Sequence, residues 1–160
     1  MKKAQLTDMF KQFDLVHGVT YRAIAQLRDH ELDARPVKEM RSVRELIAHI
    51  FGQEKAHARA VVTGKLTKAA SQRAEAEGMK KKSAKALLAW ARQCHRQATA
   101  DARRVTDRHL ARTVHCYYGK FSGGQIMSFL TDEHWHHRGQ LYVFLRLLGK
   151  EPVFLYGYAG

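Results

Sequence analysis

The chain has 160 residues, room for one domain but not comfortably two, and 45% of them are apolar, so it can bury a core without disulfides. With 2 prolines, 11 glycines and 2 cysteines, collagen-like, low-complexity and disulfide-framework structures are excluded, and no apolar run nears the roughly 20 residues of a membrane span. Lys and Arg number 28 against 15 Asp and Glu, a formal charge of +13, which draws polyanions without choosing among nucleic acid, anionic lipid and phosphorylated metabolites.

The first residues, Met1-Lys2-Lys3-Ala4-Gln5-Leu6, are basic but lack the apolar stretch of a secretory signal, so a cytoplasmic protein with reduced cysteines is expected. Leu6, Phe10, Phe13, His17, Thr20, Ile24 and Leu27 then recur at steps of three and four. They predict a helix from about Leu6 to Asp29. His17 interrupts that stripe, either as a hydrogen-bonded core residue or as the lining of a buried polar site. After a connection carrying Pro36, Ser42-Val43-Arg44-Glu45 has the form of a capping box and opens a second helix, to about Val62, with Gly64 as its stop.

Residues 65–82 are polar and basic and read as a mobile crossover, with a short helix around Ala69–Glu77 as an option. A third helix starts at Ser83. Leu87, Ala91, Cys94, Ala98 and Val105 give it a stripe of mostly small residues, with Cys94 as core filler. Residues 106–121 form an aromatic connection in which a short hairpin is conceivable. Ser122 caps a fourth helix that runs to Leu148 and stops at Gly149, with Pro152 beyond. The aromatic tail Val153–Gly160 is expected to fold back on the bundle or to meet a partner. Four helices with two long connections make an all-α four-helix bundle, a single domain over residues 1–160.

The chemistry concentrates in the fourth helix, at Asp132-Glu133-His134-Trp135-His136-His137. His137 falls near the middle of the apolar face, with Glu133 and His134 one turn earlier. Side chains three or four apart share a helix face, so Glu133 with His137, or His134 with His137, makes a two-ligand clamp. Burying such groups together is unfavourable unless something pairs them, and a divalent metal does so. A third ligand must come from another helix, and His49, at the border of the second helix's apolar face, leads. Three N/O ligands with open positions suit Zn, Ni, Fe or Mn. His30, His57, His95 and His109 read as surface residues.

The run His136-His137-Arg138-Gly139-Gln140-Leu141-Tyr142-Val143-Phe144-Leu145-Arg146-Leu147-Leu148-Gly149, followed by Glu151-Pro152, resembles the C-terminal pattern of the DinB-like (DinB/YfiT) family of metal-dependent four-helix bundles. Arg35-Pro36 followed by Ser42-Val43-Arg44-Glu45-Leu46-Ile47-Ala48-His49 resembles that family's approach to its second helix and first metal-binding histidine. The resemblance implies a divalent metal, nickel or zinc before iron or manganese, and frequent dimers. It carries His49 and His137 over as ligands. The family's third ligand is usually a histidine four places before His137. Here Glu133 holds that position and His134 stands one place later, so either of them completes the site or the site has decayed. Position favours Glu133, and ligand type favours His134.

Relatives in the wider superfamily resemble thiol-dependent transferases and isomerases. The expected function is therefore a metal-dependent, thiol-using transferase or a hydrolase in a stress or detoxification role. Its substrate would be a small molecule, with a low-molecular-weight thiol as partner and Arg138 orienting an anionic group. The alternative is a basic nucleic-acid-binding or stress-response module with a structural metal or none, resting on Lys65, Lys68, Arg73, Lys80, Lys81, Lys82 and Lys85.

Overall fold

The computed structural model describes residues 1–158. Four long helices form the bundle: α1 (Lys3–Ala25), α2 (Val43–Thr63), α4 (Ala84–Arg104) and α6 (Gly123–Leu147). Two shorter helices, α3 (Lys68–Met79) and α5 (Asp107–Ala111), lie in the connections. The all-α bundle matches expectation, with boundaries set by local chemistry. Ser42 accepts the Glu45 N–H, and the Glu45 carboxylate accepts the Ser42 N–H, closing both ends of the capping box that starts α2. Gly64 ends α2 at φ 86°, a left-handed conformation that a side chain would resist. Ser83 accepts the Ala86 N–H at the start of α4, and Ser122 with Gln125 closes a second capping box at the start of α6. The first helix ends earlier than predicted, at Ala25, and a single 3-10 turn at Asp29–Glu31 follows it.

In two connections the structured alternative that the sequence offered is the one that forms. The basic crossover is an ordered helix: α3 lies flat on α2 with Ser71, Ala74 and Gly78 turned inward. The approach is close because Gly52 faces it. A Cβ there would come within 2.9 Å of the Glu75 backbone nitrogen. In the second connection a small sheet forms, with β1 (Lys65–Leu66) parallel to β2 (Thr113–Cys116) and β2 antiparallel to β3 (Gly119–Ser122). Its hairpin turn holds Tyr117 and Tyr118.

Helix α2 is central, packed against α3, α4 and α6. The core forms two apolar clusters. One gathers around Phe10, Phe13, Val61, Ile126 and Leu130, and the other around Ile24, Leu46, Phe51, Leu87 and Phe144. A polar layer lies between them in sequence on every long helix, and buries His17 on α1, Glu54 on α2, His95 on α4 and His134 on α6. His57 and His95, read as surface residues, are both buried. Cys94 fills the core as expected, and burial pushes its thiol up to about 12. The tail folds back: Tyr142 donates to the Val153 carbonyl at 2.9 Å, and Arg22 reaches the Gly157 carbonyl. The last two residues of that predicted segment, 159–160, lie outside the described residues.

Candidate metal centre

Helices α2 and α6 bring His49, Glu133 and His137 together. One ligand atom of each lies within 4.8 Å of the others. Glu133 Oε2 is 3.1 Å from His137 Nε2 and 3.7 Å from His49 Nε2. The two imidazoles meet edge to face, with ring centres 4.6 Å apart.

The outer nitrogens fix the tautomers. His49 Nδ1 donates to the Glu75 carboxylate at 3.0 Å, and His137 Nδ1 donates to the Gln140 amide oxygen at 2.8 Å. Gln140 in turn donates to His136 Nε2 at 3.2 Å, which orients the amide. Gln53 donates to Ser71 at 2.6 Å and to Glu75, holding that carboxylate against His49. With Nδ1 protonated on both rings, the Nε2 lone pairs and a carboxylate oxygen face one another. Three lone pairs converge favourably only around a cation, either a proton or a metal ion. Histidines oriented through the far nitrogen by a carboxylate or amide are the usual support of metal ligands. The residues therefore fit a divalent ion.

The same convergence shows in the electrostatics, with a proton in the cation's place. Hydrogen bonds from His137, then His49, hold the Glu133 carboxyl well below the usual range against the opposing effect of burial. Burial alone would lower His49, but hydrogen bonds to Glu133 and Glu75 outweigh it and raise it. Glu75 is raised by burial, yet its bonds to His49 and Gln53 bring it below the ordinary value.

The triad opens into a groove of about 600 Å³. Tyr117, Tyr118 and Phe121 from the hairpin and Phe129 from α6 form an aromatic wall, and exposed Arg41 stands at the rim. His57 donates from Nδ1 to the Gln53 carbonyl at 2.8 Å, so its Nε2 accepts the Tyr118 hydroxyl at 2.7 Å. Burial lowers His57, consistent with a neutral ring.

His134 is not in this group. It points into the core beside His17 and Glu54. Arg138 is also elsewhere: it is buried, with its guanidinium 4.3 Å over the Trp135 ring, and is neither in the groove nor in a salt bridge among the described residues. Sequence reasoning missed Glu75, Gln53, His57, Arg41 and the tyrosines. Gln140 could have been found, because it lies three residues after His137 on the same face. Glu75 gave no signal, being part of a segment with little apolar content.

No curated protein matches the sequence. Among solved structures, a DinB-like protein from Bacillus subtilis superposes with a TM-score of 0.75 at 18% identity, over 93% of this chain and 96% of that one. A mycothiol-dependent maleylpyruvate isomerase gives a TM-score of 0.69 at 15% identity, over 92% of this chain and 70% of the enzyme. A histidine-to-alanine mutant of that enzyme gives the same score at 14% identity. These likenesses establish a shared fold. The family model described as DinB family matches residues 1–159, so the chain belongs to the DinB family.

Proposed function

We propose that His49, Glu133 and His137 hold one divalent ion, zinc or nickel before iron or manganese, and that the protein is a thiol-using transferase or a hydrolase acting on a small electrophile. The observation that carries this reading is the convergence of two Nε2 atoms and one carboxylate oxygen at the floor of an open groove, with both far nitrogens already committed. A likeness in fold to a mycothiol-dependent isomerase supports the thiol part. When bound, the ion lowers the pKa of a coordinated thiol or water and supplies a nucleophile at neutral pH.

The chain's own residues do the rest. Glu133 balances the ion's charge, and Glu75 and Gln140 keep His49 and His137 turned inward. Arg41 meets an anionic group of the incoming molecule, the part first given to Arg138. The aromatic wall covers its apolar portion and excludes water. Tyr118 lines the groove with its hydroxyl proton donated to His57 Nε2, and partial burial keeps that phenol protonated. His134 is left out of this site because its ring lies behind the helix face that carries Glu133 and His137. Homodimerisation through the tail, where Phe154 and Tyr156 are exposed, is part of the same reading. Sedimentation showing only monomer at high concentration removes it.

The basic cleft of about 460 Å³ between α2, α3 and α4 is partly neutralised, although Lys65 and Arg73 also line it. There Arg59 and Arg104 pair with Asp101, and Lys55 pairs with Glu77. The test is metal content by mass spectrometry on tag-free protein, with a screen of thiol transfer to small electrophiles. One ion lost in His49→Ala, Glu133→Ala and His137→Ala, together with thiol transfer that falls with it, is the expected result. No difference in metal content between the native chain and those variants overturns it.

A further inference from the structure

The buried layer repeats the open site's donor set with solvent removed. One ligand atom each of His17, Glu54 and His134 lies within 4.8 Å of the others, and all three residues are at most 3% exposed. His17 Nδ1 is 2.7 Å from the Phe13 carbonyl oxygen, which can only accept, so Nδ1 carries a proton. His17 Nε2 then faces Glu54 Oε2 at 2.8 Å. The other Glu54 oxygen accepts His95 Nδ1–H at 2.6 Å, and His95 Nε2 reaches Asp14 at the surface, 2.7 Å away. On α6, His134 Nε2 is 2.8 Å from the Thr20 hydroxyl, and that hydroxyl donates to the Val16 carbonyl at 3.2 Å. Thr20 therefore accepts from His134 Nε2–H. This leaves His134 Nδ1 a bare lone pair, and that atom has no hydrogen-bond partner although it is fully buried.

An orphaned acceptor in the core is unfavourable unless something meets it. The His134 ring lies 4.4 Å, centre to centre, from that of His17, and the two Glu54 oxygens are taken up by His17 and His95. From this geometry we infer that His17, Glu54 and His134 form a second divalent-metal site, sealed in the core, with His95, Thr20 and the Phe13 carbonyl as its supporting shell. Binding exchanges one ion for the proton held between His17 Nε2 and Glu54, and that proton leaves to solvent. Ligand atoms on a tetrahedral zinc stand roughly 3.3 Å apart, so the triad closes on an ion with movements of about an ångström. Charge is met by Glu54 directly and by Asp14 through His95. Phe13, whose ring centre is 4.2 Å from that of His17 and 5.1 Å from that of His134, closes one wall, so no substrate reaches the ion and its role is to tie α1, α2 and α6 together.

The experiment is zinc stoichiometry on chain produced in zinc-supplemented medium, followed by zinc K-edge absorption. The His49→Ala/His137→Ala double variant leaves the core untouched and is expected to keep one zinc per chain, with two imidazoles and a carboxylate oxygen around it and slow release to chelator. His17→Gln in that background is expected to lose it. A double variant that holds no zinc, or holds it with one imidazole or none and releases it at once, overturns the inference whether or not His17→Gln folds. Failure of the open site reads differently: the native chain would then hold a single zinc that survives His137→Ala.

Discussion

Two triads built from the same residue types share α2 and α6, and the second also draws on α1. One, His49–Glu133–His137, floors a groove; the other, His17–Glu54–His134, lies within the core. Glu133 is about half exposed and Glu54 is 3% exposed, and that difference separates what each can do. An open triad leaves coordination positions for exchangeable molecules, whereas a sealed one can only hold helices together. The neighbouring residues Glu133 and His134 are divided between them because successive side chains on a helix diverge by about 100°.

The sharpest way to break the comparison is to remove each carboxylate. Glu54→Ala strips the counter-charge from two buried imidazoles. It should cost about 3–5 kcal/mol in denaturant unfolding of the chelated protein, as removal of one partner from a buried ion pair does. Glu133→Ala, half exposed, should leave stability nearly unchanged and act on metal content instead. Equal losses from the two would erase the distinction.

A smaller effect tests how the open site is supported from behind. Gly52→Ala pushes α3 off α2 and carries Glu75 away from His49, since a Cβ at Gly52 would meet the α3 backbone. Overpacking of this kind costs about 1–3 kcal/mol. Metal affinity of the open site should fall by about 10- to 100-fold, the usual penalty for a lost supporting group, while the sealed site keeps its ion. Isothermal titration on the Gly52→Ala chain measures both.

The smallest effect is a pH dependence remote from both triads. Hydrogen bonds from Arg35 and the Ser42 N–H, and the Arg35 charge, lower the Glu45 carboxyl despite burial. A depressed folded-state value means the stabilisation is present above the unfolded value of about 4.5 and is lost as pH falls through the folded one. Glu45→Gln should therefore be less stable than the native chain by about 0.5 kcal/mol at pH 7, with the gap closing in acid. Ser42→Ala should cost about 1 kcal/mol at all these pH values. Chemical denaturation between pH 3 and 7 reads both.

How much of this was legible follows from the length scale of each feature. The capping box at Ser42–Glu45, the stop at Gly64 and the pairing of Glu133 with His137 are local, and residue spacing along one helix determines them. His49 fell into place because it borders an apolar face that must turn toward another helix. The sealed triad was not readable. His17 and Glu54 are 37 positions apart, and His134 lies on a third helix; each looks like an isolated polar residue until the helices come into register. His134 also satisfied the spacing rule with His137, and only packing shows that its ring turns to the other side. Helix α3 was legible only as an option around Ala69–Glu77, because alanine and glycine make its contact with α2, too weak a hydropathy signal to choose an ordered helix over a loop.

The most direct test of the central distinction is the visible and near-ultraviolet spectrum of the cobalt-substituted protein during titration with a small thiol such as glutathione. A thiolate-to-cobalt absorption band should appear in the native chain and be absent in His137→Ala, while the cobalt signal that survives in His137→Ala stays unmoved by thiol. A native spectrum indifferent to thiol at saturation, or one that responds equally in His137→Ala, would contradict the assignment of the open triad as the reactive centre.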